Sequence, residues 1–349
     1  MKGKFVGVGA LLACQIGVAH AAVTLYGVID TGIEFLTNTP SATNPGRRGS
    51  VVRQSSHGLA ASRWGMRGTE DLGDGLSSVF ILENSFNPDT GSQYDASRLF
   101  NFQALVGLQN KYGLVTVGRQ RSAYFDVLLR YDPLGYGAAY SITNNDFRSA
   151  ARTDNAIKYL GTFGSWTAIG LYSFGRSGRG EVPGEPKVDR EINGGLMYTQ
   201  GPLSVGATYD QFNGFTLATK NEVQRRYAAV GTYQFERVRA FLGARVQNGG
   251  ETAVKTNTVL YWTGLAYSWS NALMLTGAVY HTDDRRSSAD PTMFVAAADY
   301  SLSKRTTAYL HAGYVKNPSG AALGLNGTNI DIAPGHAQFG SMIGLMHRF

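Results

Sequence analysis

The sequence predicts an all-β fold, a 16-stranded antiparallel barrel that crosses a membrane. Three observations predict it. First, apolar residues alternate with polar or small ones in Val23-Thr24-Leu25-Tyr26-Gly27-Val28-Ile29-Asp30, Leu114-Val115-Thr116-Val117-Gly118-Arg119 and Tyr261-Trp262-Thr263-Gly264-Leu265-Ala266-Tyr267. Period two gives a strand one apolar and one polar face. Second, the connections are alternately short and long, which suits a membrane barrel and which a soluble sandwich has no reason to adopt. Third, composition removes the alternatives. A chain of 349 residues with 40 aromatics (19 Tyr, 17 Phe, 4 Trp) and 16% charged residues is not disordered. One cysteine cannot make a disulfide scaffold. After the first 20 residues no apolar run reaches the roughly 18 residues of a membrane helix. The formal charge of +7 comes from scattered basic residues and does not point to nucleic acid.

Residues 1–21 read as a secretory signal peptide. Lys2 and Lys4 form its basic start, Phe5 to Gly17 its apolar stretch, and Ala19-His20-Ala21 its cleavage site. The apolar stretch is too short to span about 30 Å. A competing reading takes Leu11-Leu12-Ala13-Cys14 as a lipoprotein box that leaves a lipidated Cys14. With cleavage after Ala21 the mature chain lacks cysteine, carries a net charge of +5 once Lys2 and Lys4 are gone, and forms one domain, residues 22–349.

The first strand is expected over 23–35 and the last segment over 336–349. Tight turns fall at Asp71-Leu72-Gly73-Asp74-Gly75, Asn110-Lys111-Tyr112-Gly113, Gln200-Gly201-Pro202 and Ser270-Asn271. Longer connections fall at 36–56, 86–97, 121–150, 176–187, 214–221, 249–254, 284–291 and 317–335. Sixteen segments lie between these breaks, each with room for the roughly 9–11 residues that a membrane strand needs. Only closure pairs every backbone N–H and C=O in lipid. Lipid-facing apolar and lumen-facing polar residues average out, as the mean hydropathy of −0.16 reflects. Tyr26, Tyr112, Trp166, Tyr198 and Trp269 sit near segment ends, as in interfacial girdles. Singly, each also suits the turn of a soluble β protein.

Six motifs carry a family resemblance. They are Val23 to Asp30, Ser62-Arg63-Trp64-Gly65-Met66-Arg67-Gly68-Thr69-Glu70-Asp71-Leu72-Gly73, Tyr112 to Gln120, Asn155-Ala156-Ile157-Lys158-Tyr159, Leu302-Ser303-Lys304-Arg305-Thr306 and His347-Arg348-Phe349. In order, and along the whole mature chain, they resemble general-diffusion porins of the β-proteobacterial type. The resemblance implies a homotrimer in the outer membrane, among lipopolysaccharide and lipid, with short periplasmic turns and long extracellular loops. It implies a third loop folded into the lumen as a constriction, and a terminal aromatic, Phe349, read by the barrel-assembly machinery. The loop is also legible in the residues. Stretch 121–150 is the longest connection and carries Tyr124, Phe125, Tyr131, Tyr136, Tyr140 and Phe147, which can pack it against the inner wall.

Such a channel filters by charge, with basic wall residues facing acidic loop residues. The motifs carry the basic wall to Arg63 and Arg152. Alternation independently puts Arg63, Gly65 and Arg67 on one face, with Trp64 and Met66 on the other. A third family arginine falls on Phe102, which either narrows the passage apolarly or leaves Arg98 as a residue of the mouth. Arg119 belongs to a motif and serves the wall, packing or a subunit interface. Lys158 and Asp154 share a parity with Arg152, which suggests a lumenal cluster there. On the acidic side stand Asp132 and then Asp126, with Asp146 nearer the returning strand; the family's glutamate falls on Leu134.

No cofactor or metal is expected. G-x-S-x-G, a P-loop and H-E-x-x-H are absent, and the histidines lack metal-ligand spacing. The expected role is passive diffusion of small hydrophilic solutes and ions with moderate anion preference. The alternatives are an adhesin or receptor and a barrel hydrolase. Stepwise conductance in planar bilayers separates the channel from both.

Overall fold

The computed structural model describes residues 22–44, 46–135, 137–318, 320–328 and 332–349. The expected signal peptide and its Cys14 alternative lie outside the described residues. Sixteen antiparallel strands close into a barrel, each bonded to its sequence neighbours. They are β1 (Ala22–Pro40), β2 (Arg48–Ser55, resuming at Arg63–Gly73), β3 (Leu76–Ser85), β4 (Gln103–Asn110), β5 (Gly113–Arg121) and β6 (Arg152–Phe163). Next come β7 (Trp166–Ser173), β8 (Glu191–Gln200), β9 (Leu203–Asn213), β10 (Val223–Phe235) and β11 (Val238–Gly249). The last are β12 (Thr256–Ser268), β13 (Leu273–Asp284), β14 (Thr292–Ser301), β15 (Thr306–Lys316) and β16 (Gln338–Arg348). Both pieces of β2 pair with β1, so they count as one interrupted strand.

Closure runs through β1 and β16, in register from Val28 opposite Arg348 to Leu36 opposite Gly340. Phe349 extends the seam by exchanging two 3.1 Å backbone hydrogen bonds with Gly27. No strand edge is left for lipid, where each unpaired backbone group costs several kcal/mol. Outward positions are apolar and exposed, as at Leu25, Ile33, Val106, Leu242 and Ile343. At the turn end, aromatics gather in pairs: Trp166 with Tyr198 at 4.8 Å, and Tyr233 with Phe235 at 4.4 Å between ring centroids. Tyr26 is not among them. It shares the inward parity of Asp30, and its hydroxyl donates to Glu83 Oε1 at 3.2 Å, so this expected girdle residue faces the lumen.

Two loop boundaries differ from expectation. Most of 36–56 is strand, because β1 and β2 continue pairing to Pro40 and Arg48 beyond a bulge. Connection 86–97 runs on to Phe102, since pairing of β4 with β3 starts only at Gln103. The interruption of β2 at 56–62 was not legible. There the chain leaves the wall, and Asp30 captures it by accepting the N–H groups of Gly58 at 3.2 Å and Ala60 at 2.7 Å.

Candidate functional site: the lumen

From β10 to β16 the inward positions are largely apolar and buried: Val230, Leu260, Trp262, Met293, Val315 and Met342. Such a wall needs a cover, and the third loop, between β5 and β6, supplies it. The loop opens with α1 (Ala123–Leu128), where Ser122 Oγ accepts the N–H of Phe125 at 3.0 Å. It continues through α2 (Ile142–Asn145), capped by Ser141, and a 3-10 turn (Phe147–Ala150). Tyr124, Tyr131 and Tyr140 are fully buried and Phe125 nearly so. Phe147, expected with them, is 81% exposed, and Tyr136 lies outside the described residues. Wall glycines leave room for the loop. A Cβ on Gly264 would stand 2.5 Å from Pro133, and Gly195 and Gly206 face Val127 and Tyr131 in the same way.

Polar anchors fix the loop in place. Trp262 Nε1–H donates to the Tyr131 carbonyl at 2.9 Å. Tyr280 donates to Asp132 Oδ1 at 2.6 Å, and both side chains are buried. Asp132, expected on the acidic side of the constriction, is therefore an anchor pointing into the wall, because a carboxylate on an apolar wall must find a donor. The loop tip is held from two sides. The Ala139 N–H donates to Gly58 in the β2 interruption at 3.3 Å, and the Tyr140 N–H donates to Leu325 of the last loop at 3.0 Å.

Where the loop returns, a buried charge network backs it. Asp146 meets Arg245 at 3.1 Å and Arg226 at 3.6 Å, and accepts the Tyr124 hydroxyl at 2.8 Å. Arg148 contacts Glu191, and Asp210 at 3.4 Å. Burial pushes the Asp146 carboxyl up, but Arg245, Arg226 and the hydrogen bonds to it outweigh burial and hold it below its ordinary value. Burial pushes the Tyr124 phenol well up, so it stays a donor. This network escaped the sequence reading: Arg226 and Arg245 lie on alternating strands and look like any lumenal basic residue.

The inner face of β1 to β6 differs. Arg63 Nε meets Glu83 Oε1 at 3.0 Å, and Glu83 also accepts Gln103 Nε2 at 3.1 Å. Arg152 lies over Phe102, its guanidinium carbon 3.7 Å from the ring centroid, and over Phe125 at 5.2 Å. Arg121, absent from the expected set, also lies over Phe125, its guanidinium carbon 5.0 Å from the ring centroid. Arg63, Arg121 and Arg152 act electrostatically on one another, with Glu83 as the nearby acid. Among the described residues, Arg121 and Arg152 have no carboxylate within salt-bridge distance. Phe102 is 7% exposed and forms the floor under Arg152; it does not stand in the passage as an open apolar ring.

Asp126 of the loop does face the lumen and pairs with Lys158 Nζ at 2.8 Å. Arg67 lies inward over Tyr26, its guanidinium carbon 5.0 Å from the ring. Arg98 and Arg119 are elsewhere. Both bind Asp154, Arg98 at 2.6 Å, and Arg98 also donates to the Ser177 carbonyl at 2.9 Å. Arg119 stands opposite Ala104 on the outward parity. Opposite Arg119, between the pairs Gly118–Ala156 and Gln120–Thr153, β6 carries one residue more than β5; this bulge lets Asp154 reach Arg119 and removes it from the lumenal wall. Among the described residues no three His, Cys, Asp or Glu side chains gather as a metal site.

Comparison with known proteins gives one consistent result. The profile of a family described as Gram-negative porin matches residues 9–320. An outer membrane porin protein of Bordetella pertussis is 33% identical, covering 88% of this chain and 93% of that one. Outer membrane porin protein 32 of Delftia acidovorans is 27% identical over the whole of both chains. An anion-selective porin from Comamonas acidovorans superposes with a TM-score of 0.82 at 24% identity, covering 95% of this chain and 100% of that one.

Proposed function

This chain belongs to the Gram-negative porin family, and from that premise we propose that its open lumenal half selects moderately for anions. The protein is an outer-membrane porin, a non-enzymatic channel for passive diffusion of small hydrophilic solutes. One observation carries the selectivity: among the described residues, the cluster of Arg63, Arg121 and Arg152 faces one carboxylate, Glu83, while the neighbouring Arg119 is paired with Asp154. Lys158 is already neutralised by Asp126, while Arg67 adds a further cation toward the turn end. A unit charge about 8 Å from a passing ion contributes about 0.5 kcal/mol at the dielectric of water and about 2 kcal/mol at an effective value near 20. A wet passage lies near the lower figure, and salt screens it over about 10 Å at 0.1 M. Two excess charges then give about 1 kcal/mol, a several-fold preference that fades in high salt.

The test is the zero-current potential across a tenfold KCl gradient in planar bilayers. Wild type is expected to favour chloride, and Arg152→Ser to shift toward potassium. A potassium-selective wild type, or a variant identical to it, overturns the reading. The same proposal includes cleavage of residues 1–21 and a homotrimer that resists detergent until boiled. It also includes recognition of Phe349 by the barrel-assembly machinery, so that deleting Phe349 lowers outer-membrane insertion.

A further inference from the structure

We propose that, on the periplasmic side of the eyelet arginines, the passage carries a subsite for amphipathic carboxylates, small anions with an aromatic or branched aliphatic body. The proposal deepens the anion-selective reading and rests on it. The wall there lines a half-open recess of about 460 Å³ whose lining comes from β1 to β6. Five aliphatic side chains point into it: Val79, Ile81, Leu105, Leu114 and Leu160. The register forces them together, with Ile81 opposite Leu105 and Leu114 opposite Leu160. On the far side of the barrel such residues are covered by the third loop. Here Val79, Ile81, Leu114 and Leu160 stay partly exposed, and Leu105 is just covered.

One charge is placed to read an anion at this apolar floor. Arg67 stands opposite Ile81 across the strand pair and has no carboxylate partner among the described residues. Lys158 also reaches the recess but is paired with Asp126. A polyhydroxylated acid gains the Arg67 contact and leaves the aliphatic floor wet. A phenyl or branched alkyl body covers that floor while its carboxylate meets Arg67, and burying apolar area adds to the binding. Three separate facts converge: a half-open recess, partly exposed aliphatic side chains within it, and a single unneutralised guanidinium at its edge.

The experiment uses the purified full-length channel in planar bilayers and follows chloride current as 3-phenylpropionate or gluconate is added. Both are monocarboxylates of similar size. Wild type is expected to be half-blocked by 3-phenylpropionate at a concentration at least about fivefold below that for gluconate, as partial burial of a phenyl group implies. The paired variant Ile81→Asn with Leu105→Asn is expected to erase that difference, and Arg67→Gln to weaken block by 3-phenylpropionate. Equal block of wild type by the two anions overturns the subsite, as does a preference that survives the paired variant. If the paired variant does not insert, the wild-type comparison and Arg67→Gln decide. The zero-current potential in the same bilayers separates the two readings. A cation-selective wild type overturns anion selectivity, whereas an anion-selective wild type without the block preference overturns only the subsite.

Discussion

The two halves of the lumen differ in how many of their arginines meet a carboxylate. Against β8 to β11, Arg148, Arg226 and Arg245 are buried and face Glu191, Asp210 and Asp146. Against β2 to β6, Arg63 pairs with Glu83, while Arg121 and Arg152 lie over aromatic rings with no carboxylate within salt-bridge distance among the described residues. Desolvated charge is tolerable only when paired and hydrogen-bonded, so the covered half neutralises its guanidiniums and gains a fixed loop. A ring under a guanidinium sets its orientation without cancelling its charge. The difference teaches that the number of lumenal arginines does not predict selectivity. Pairing decides which of them a solute can feel.

The sharpest way to break this contrast is to remove a charge from the covered half. Arg245→Ala leaves Asp146 buried with half its compensation gone, and breaking a buried pair costs about 3–5 kcal/mol. The expected outcome is a loosened third loop, seen as noisy current steps and faster proteolysis between residues 122 and 151, with little change in ion preference. A large shift in zero-current potential with quiet steps would show that this arginine belongs to the filter.

A second test uses pH. The folded Asp146 carboxyl lies below its ordinary value of 3.8. Its stabilisation is therefore complete above the unfolded value and is lost only as pH falls through the depressed one. Loop docking should survive acidification to about pH 4.5 and weaken below about pH 3.8. Current noise measured against pH follows this; noise that sets in near neutrality would contradict it.

The smallest effect is expected at the border between the halves. Asp126→Asn frees Lys158, and a partly exposed pair is worth about 0.2–1 kcal/mol. Chloride preference should rise slightly in 0.1 M salt and revert to the wild-type value in 1 M. An unchanged reversal potential at low salt would place Lys158 outside the ion path.

Much of this molecule could be read in the chain. Period-two alternation, with tight turns such as Asn110 to Gly113, is local chemistry that only sixteen closed strands reconcile with lipid. The inward parity of Arg63 and Arg67 follows from counting along one strand, and the aromatic load of 121–150 announces a loop that must pack. Asp132 and Asp126 show where such reading stops. Both are loop aspartates in one sequence setting, yet one meets Tyr280 of β13 and the other Lys158 of β6. Arg119 likewise carries a motif, but a bulge in a neighbouring strand gives it to Asp154. Alternation fixes which face a side chain takes from its own strand. Which charge it meets depends on residues tens to more than a hundred positions away, brought opposite it when the barrel closes and the third loop settles. The sequence by itself determined the strands, the closure and the lumenal face; tertiary structure alone decided which arginines face the passage without a carboxylate beside them.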